Sequence, residues 1–438
     1  MNDYRLTYHL APRRGWLNDP NGLCVHNGKI QIYYQADPDS LTGSCRKCWG
    51  HFTTTDFRHY TDCGLAVEPV ERFESHGAYS GSALSLDGQL HLFYTGNVKE
   101  PGDHDYIRSG RQHNTIHAVS QDGLRFDQKQ VILTNADYPD FCSCHVRDPK
   151  VNPTAGGYEM VLGARTLDDE GCALLYRSRD LQQWQLDAVL RSATKMGYMW
   201  ECPDLLHFDQ ADVLLCCPQG LKRQGYRYEN VYDNGYFILH GDEARTYRTL
   251  DHGFDFYAPQ TFLDPRGRRI LIGWLGLPDT DYTIPTKTWM HALTLPRELR
   301  FEDGRLKQRV IEELRPGPAL TKTVRQTKAP ETFVLKACPQ GALTLTIDGL
   351  KLVYENGLLT LDCSQCGAGR TQRHVELDKL DKLELYLDVS SVEIFINDGE
   401  VSLTSRCFFD DSVRSVAASC DFTLYQAPRI EIESRDSE

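Results

Sequence analysis

Asn27-Gly28-Lys29-Ile30-Gln31-Ile32-Tyr33-Tyr34-Gln35 is a tight turn followed by apolar residues at every second position. That period belongs to a half-buried β-strand. The pattern returns four times, in Asp87-Gly88-Gln89-Leu90-His91-Leu92-Phe93-Tyr94-Thr95-Gly96 and in the runs ending at Ala164, Gln219 and Trp274, about 55–70 residues apart. About ten residues before each copy lies a short Pro-, Ser- or Gly-containing segment, and after the first four come a further strand and a polar turn with an aromatic beyond it, as in Ser178-Arg179-Asp180-Leu181-Gln182-Gln183-Trp184. A repeat of this length with three or four strands is a propeller blade. The expected fold is therefore all-β, with a five-bladed β-propeller over residues 1–305. Beyond it, Val310, Ile311 and Leu314 before Pro316-Gly317-Pro318 suggest a short amphipathic helix in a connector, 306–320. Alternating runs separated by Asp348-Gly349, Asn356-Gly357 and Asn397-Asp398-Gly399 then predict a C-terminal β-sandwich over 321–438.

The 438 residues carry 61 Asp and Glu against 48 Lys and Arg, a net charge of −13, which disfavours nucleic acid and anionic membrane as partners. The N-terminal stretch lacks an apolar signal core and no run is long enough to span a bilayer, so a cytoplasmic protein is expected. Fifteen cysteines, an odd number scattered among apolar neighbours, fit reduced thiols better than a disulfide framework. Zinc is disfavoured because the only two Cys-x-x-Cys pairs, Cys45/Cys48 and Cys363/Cys366, lie far apart without a matching His pair.

The first strand of a propeller blade lines the central channel, so equivalent positions on different blades converge near the axis. Asp19, Asp148 and Glu201 hold such positions in Asn18-Asp19-Pro20-Asn21-Gly22, Val146-Arg147-Asp148-Pro149-Lys150 and Trp200-Glu201-Cys202-Pro203-Asp204. Any one alone reads equally well as a turn acid. Together they supply the kit of a glycoside hydrolase: a proton donor, a nucleophile or base, and a group to orient sugar hydroxyls. Binding of Ca²⁺ or Mg²⁺ is the competing use, but no Asp-x-Asp-x-Asp-Gly loop is present and Arg147 would repel a cation. Neither metal nor cofactor is expected. Trp16, Trp49, Tyr79 and Trp274 offer flat faces for a sugar ring, and Asn18, Gln35, Ser80 and Arg147 offer hydrogen bonds.

These residues sit in stretches that resemble the β-fructofuranosidase family of glycoside hydrolases, which includes invertases, sucrose-6-phosphate hydrolases, inulinases and levanases. The matching stretches are Trp16-Leu17-Asn18-Asp19-Pro20-Asn21-Gly22, Tyr33-Tyr34-Gln35, Trp49-Gly50-His51, Ser80-Gly81-Ser82 and Phe93-Tyr94-Thr95-Gly96. Arg147-Asp148-Pro149, Trp200-Glu201-Cys202-Pro203-Asp204, Phe256-Tyr257-Ala258-Pro259-Gln260, Leu295-Pro296-Arg297-Glu298-Leu299 and Val392-Glu393-Ile394-Phe395-Ile396 continue the match almost to the end. The resemblance implies a retaining hydrolase of terminal β-D-fructofuranosides, with Asp19 as nucleophile, Glu201 as acid/base and Asp148 as transition-state stabiliser. It also implies a sugar substrate held by Trp16, Leu17, Asn18, Gln35, Trp49, Tyr79, Ser80, Arg147 and Trp274. Tyr79 stands where Phe is frequent, and Ala36-Asp37-Pro38 where Tyr-Asn-Pro is common. Apolar neighbours of Glu201 are expected to raise its pKa, and Arg147 to keep Asp148 ionised. Sucrose, sucrose 6-phosphate and fructo-oligosaccharides are the candidate substrates, with Arg108, Arg111, Lys222 and Arg223 as possible phosphate partners. A non-catalytic sugar-binding propeller and a hydrolase of another sugar, such as arabinan, are the alternatives. Oligomeric state is not legible.

Overall fold

The computed structural model describes residues 3–435, which are all β apart from three single 3-10 turns. Hairpins between period-two strands build five antiparallel units in succession. The first is β1 (Gly15–His26), β2 (Lys29–Asp37), β3 (Cys48–Thr54) and β4 (His59–Val67), and the second β5 (Ala78–Leu86), β6 (Gln89–Lys99), β7 (Arg111–Ser120) and β8 (Gln128–Leu133). Next come β9 (Cys142–Thr154), β10 (Gly157–Thr166), β11 (Gly171–Ser178) and β12 (Gln185–Ser192), then β13 (Met199–Phe208), β14 (Ala211–Gln219), β15 (Gly235–His240) and β16 (Glu243–Thr249). These two units join into one eight-stranded sheet through a short parallel pairing of β12 with β16. The fifth unit contains β17 (Tyr257–Leu263), β18 (Arg269–Leu275), the two-residue strand β20 (Ala292–Leu293), β21 (Arg297–Glu302) and β22 (Arg305–Val310), while the two-residue β19 (Trp289–Met290) between β18 and β20 joins the first sheet. Each repeat copy in the sequence is the second strand of its unit.

The first strands β1, β5, β9, β13 and β17 touch one another in that order, and β17 touches β1 again, so they close a ring. β19 pairs with β1 and thereby ties the fifth unit to the first. Apolar side chains fill the gaps between successive sheets. Tyr33, Trp49, Leu92 and Tyr94 pack between the first two, and Leu206, Leu215, Phe256 and Leu271 between the last two. Each sheet is covered on both faces, which is why its second strand is almost wholly buried.

The expected helix near Val310 does not form. Val310 ends β22, which pairs with β21, and Ile311 leads into the 3-10 turn Glu312–Leu314. A run of three apolar residues is too short to distinguish helical from strand period, and an available sheet edge decides it. From Val324 onward a ten-stranded sheet folds so that both arms, Leu343–Ile347 on one and Leu383–Asp388 with Ser391–Ile396 on the other, bury their apolar faces in one core. Glu431–Ser434 then returns to pair in parallel with β4.

A fully buried charge network clamps the two parts together. His9 lies 2.8 Å from Asp388 and 2.9 Å from Glu393, while Arg297 bridges Glu393 at 2.6 Å and Asp251 at 3.1 Å. Among the described residues no helix is long and apolar enough to cross a membrane.

Candidate active site

All five inner strands carry the same irregularity. Where each pairs with its second strand, two residues oppose one: Asn18-Asp19, Tyr79-Ser80, Asp148-Pro149, Cys202-Pro203 and Ala258-Pro259. A bulge re-aims side chains and frees a backbone N–H, so proline is tolerated in a central strand there. At the last three the first bulge residue has positive φ, +64° at Asp148, +48° at Cys202 and +46° at Ala258. L-residues adopt this conformation at a cost of order 1–3 kcal/mol, and it persists where surrounding structure enforces it. Asp19 and Asp148 lie in their bulges and Glu201 directly precedes the Cys202-Pro203 bulge, all at one end of the ring.

There, Asp19, Asp148 and Glu201 line one cavity of about 390 Å³ together with Trp16, Asn18, Gln35, Tyr79, Ser80, Arg147 and Trp274. Asp19 accepts hydrogen bonds from Ser80 Oγ and from Asn18 Nδ2 at 2.9 Å. Asn18 is itself held by Trp16 Nε1 and Lys47 Nζ, and it donates to Gln35. Cys202 joins two of the acids: its Sγ lies 3.6 Å from Asp19 and 3.7 Å from Asp148, and its backbone N–H donates to Asp148 at 3.0 Å. Glu201 stands opposite and accepts from Arg147, from Gln219 Nε2 at 2.7 Å and from Tyr257 Oη at 2.7 Å.

Burial raises Asp19 above its ordinary pKa, against the hydrogen bonds from Ser80 and Asn18, while the charge on Glu201 adds to the rise. Burial also lifts Asp148 to about 7, with Arg147 opposing and Glu201 and Asp19 contributing. Lys47 is pushed down to about 8 by burial, although Asp19 and Asp37 pull it upward. Burial and mutual repulsion thus both favour the protonated forms of Asp19 and Asp148, against the donors that hold them. Among the described residues no group of three or more His, Cys, Asp or Glu is arranged to hold a metal ion.

Three placements differ from what the sequence alone suggests. Leu17 and Trp49 are fully buried and line no part of the cavity. Strand alternation faces Trp16 and Asn18 to the site and sends Leu17 into the core behind them, while Trp49 packs behind the second bulge and donates from Nε1 to Tyr79 O at 3.1 Å. Arg147 directs its fork not to Asp148, 3.9 Å away, but to Glu201, with Nη2 at 2.6 Å and Nε at 3.2 Å. Nor do the apolar neighbours of Glu201 surround it, because Trp200 turns between sheets and bonds to Met196 O. Of the four possible phosphate partners, only Arg111 reaches this cavity. Lys222 lines a separate groove of about 1030 Å³, while Arg108 and Arg223 bind Asp169 and Glu229 outside it.

Residues 9–310 match the glycosyl hydrolases family 32 N-terminal domain, and residues 349–427 match the family 32 C-terminal domain. The chain belongs to glycosyl hydrolase family 32. This family 32 glycosidase is 37% identical to a sucrose-6-phosphate hydrolase of Bacillus subtilis, over 95% of the chain and 91% of the relative. The solved β-fructofuranosidase of Bombyx mori superposes with a TM-score of 0.85 at 30% identity, covering 98% of this chain and 95% of that one. The sucrose-6-phosphate hydrolase from Lactobacillus gasseri gives 0.83 at 28%, covering 98% and 94%.

Sequence reasoning missed several residues of the family 32 cavity: Lys47, His145, Gln219 and Tyr232 all line it. Gln219 closes the fourth repeat copy, and its counterpart Gln35 closes the first, so the repeat phase itself could have nominated it. Lys47 and His145 lie outside any repeat feature, and only the fold brings them in.

Proposed function

We propose that this enzyme cleaves the terminal, non-reducing β-D-fructofuranosyl bond of sucrose 6-phosphate or sucrose with retention of configuration. In this reading Asp19 attacks the anomeric carbon, Glu201 protonates the departing oxygen and then activates water, and Asp148 binds fructosyl hydroxyls as charge develops. The carrying observation is the convergence on one cavity of three carboxylates from three different inner strands, Asp19 and Asp148 within bulges and Glu201 immediately before one. Asp19 is oriented from below by Ser80 and Asn18, and Glu201 faces it with three donors around it. Trp16 and Trp274, with ring centroids 5.8 Å apart, offer an apolar wall for the sugar.

The names of the relatives support a fructoside, and Lys47 and Arg111 in the cavity wall favour an anionic sugar over a neutral one. The five units are read as the blades of a five-bladed β-propeller, followed by a β-sandwich, with the division between Val310 and Val324. A soluble cytoplasmic enzyme fits a substrate that carries a phosphate. Proton NMR of the first turnovers tests the reaction: β-fructofuranose appearing before mutarotation supports retention, and α-fructofuranose first refutes it. Measuring kcat/KM for sucrose, sucrose 6-phosphate and an inulin oligomer tests the substrate, and equal values for the first two would remove the phosphate preference.

A further inference from the structure

Arg147 divides its donors between two acceptors. Nη2 and Nε point to Glu201 Oε1, and Nη1 lies 2.7 Å from His145 Nδ1. The other nitrogen of His145, Nε2, lies 3.0 Å from the carbonyl oxygen of Tyr106. A guanidinium only donates and a carbonyl only accepts. The ring must therefore carry its proton on Nε2 and present a lone pair at Nδ1, and a second proton would point directly at Arg147. Burial, then the charges of Arg147 and Arg111, push His145 down to about 2, in keeping with a ring that stays neutral at any working pH.

Tyr106 belongs to the loop between β6 and β7 and has φ of +54°. Its conformation is fixed locally, since Asp105 Oδ1 accepts from the backbone N–H groups of Ile107, Arg108 and Ser109. The same Tyr106 carbonyl also accepts from Arg111 Nε at 3.1 Å, and Cys144 N–H donates to Ile107 O. The loop is thus fastened to β9 beside His145. Through Tyr106, His145 and Arg147, a continuous set of hydrogen bonds leads from this loop to the carboxylate of Glu201.

We propose that His145 is a positioning residue: as a permanently neutral acceptor it fixes the plane of Arg147 so that the guanidinium fork stays on Glu201. It transfers no proton itself. The proposal rests on the reading of Glu201 as acid/base. The charged and titratable groups facing this pair are Arg147, Tyr257, Asp19, Asp148, Cys202 and Cys217 around Glu201, and Arg111, Arg165 and His113 around His145.

Two variants separate the hydrogen bonds of His145. His145→Asn keeps an acceptor near Nδ1, and His145→Gln keeps a donor near Nε2 but has no acceptor at the Nδ1 position facing Arg147. Wild-type-like kcat and pH profile are expected for His145→Asn. His145→Gln and His145→Leu should lower kcat by about a hundredfold, the scale of a misplaced catalytic group, with KM changed much less. Their basic limb of kcat should move to higher pH, because a carboxyl group that loses a guanidinium partner holds its proton longer. Melting temperatures are recorded for all three. A His145→Asn enzyme as poor as His145→Leu overturns the proposal, as does an unmoved basic limb in His145→Gln. Glu201→Gln is assayed in parallel: undiminished turnover there would remove the acid/base reading, whereas its loss beside unaffected His145 variants would remove only the positioning role.

Discussion

Replacing His9 by Gln should destabilise the protein at pH 6 and leave it almost unaffected at pH 10. His9 is fully buried between Asp388 and Glu393, and the hydrogen bonds it donates to these two carboxylates, with their charges, outweigh its desolvation and raise its pKa from 6.5 to about 9. The native state therefore binds this proton more tightly than the unfolded chain does. Below pH 6.5 both states hold the proton and the contribution is complete; between 6.5 and 9 it declines, and above 9 it is gone. At about 1.4 kcal/mol for each unit, the shift corresponds to about 3 kcal/mol. The carboxylates have the complementary behaviour. Asp388 and Glu393 are lowered despite their burial, Asp388 chiefly by its hydrogen bond with His9 and Glu393 chiefly by the charge of Arg297, so their share is present above their unfolded values and fails in acid. Urea unfolding of wild type and His9→Gln from pH 6 to 10, followed by tryptophan fluorescence, measures the difference free of other titrating groups. The gap between the curves should close as pH rises. A gap that stays constant would mean that the network does not titrate with folding, and would refute the reasoning.

Asp19→Asn and Glu201→Gln should each lower kcat by about 10²–10⁴-fold with an unchanged melting temperature, and fructose release by either at near wild-type rate would sink the assignment. Because burial pushes Lys47 down to about 8, kcat/KM should show an additional fall above that pH beyond the one the acid/base carboxyl gives, and Lys47→Met should remove that additional fall while moving the acid limb upward as Asp19 loses a cation. Identical profiles for the two proteins would contradict it. Trp49→Phe removes the donor to Tyr79 O and should cost about 1 kcal/mol of stability with kcat/KM within about threefold, whereas a large rise in KM would return Trp49 to the substrate.

The period-two pattern behind each turn was enough to locate the second strand of every unit, since both faces of these strands are covered and selection for apolar residues is strong there. Phase alone also nominated Asp19, Asp148 and Glu201, because equivalent strands meet around one ring. It failed where direction mattered. Leu17 and Trp49 share motifs with residues that line the cavity, yet they point into the core. The bulges explain the difficulty. Two residues against one is a relation between paired strands, and no single strand records it.

The sequence by itself determined the β class, the number of repeated units and which carboxylates come together, all of which follow from local periodicity and its recurrence. The tertiary structure decided which donors serve which acid. Arg147 lies next to Asp148 in the chain but forks onto Glu201, 54 positions away, and Lys47 and His145 enter the site from loops and strands without any repeat signature. Adjacent strand residues diverge to opposite faces, whereas the hydrogen bonds of a buried charge are made by whatever the fold places within about 3 Å of it.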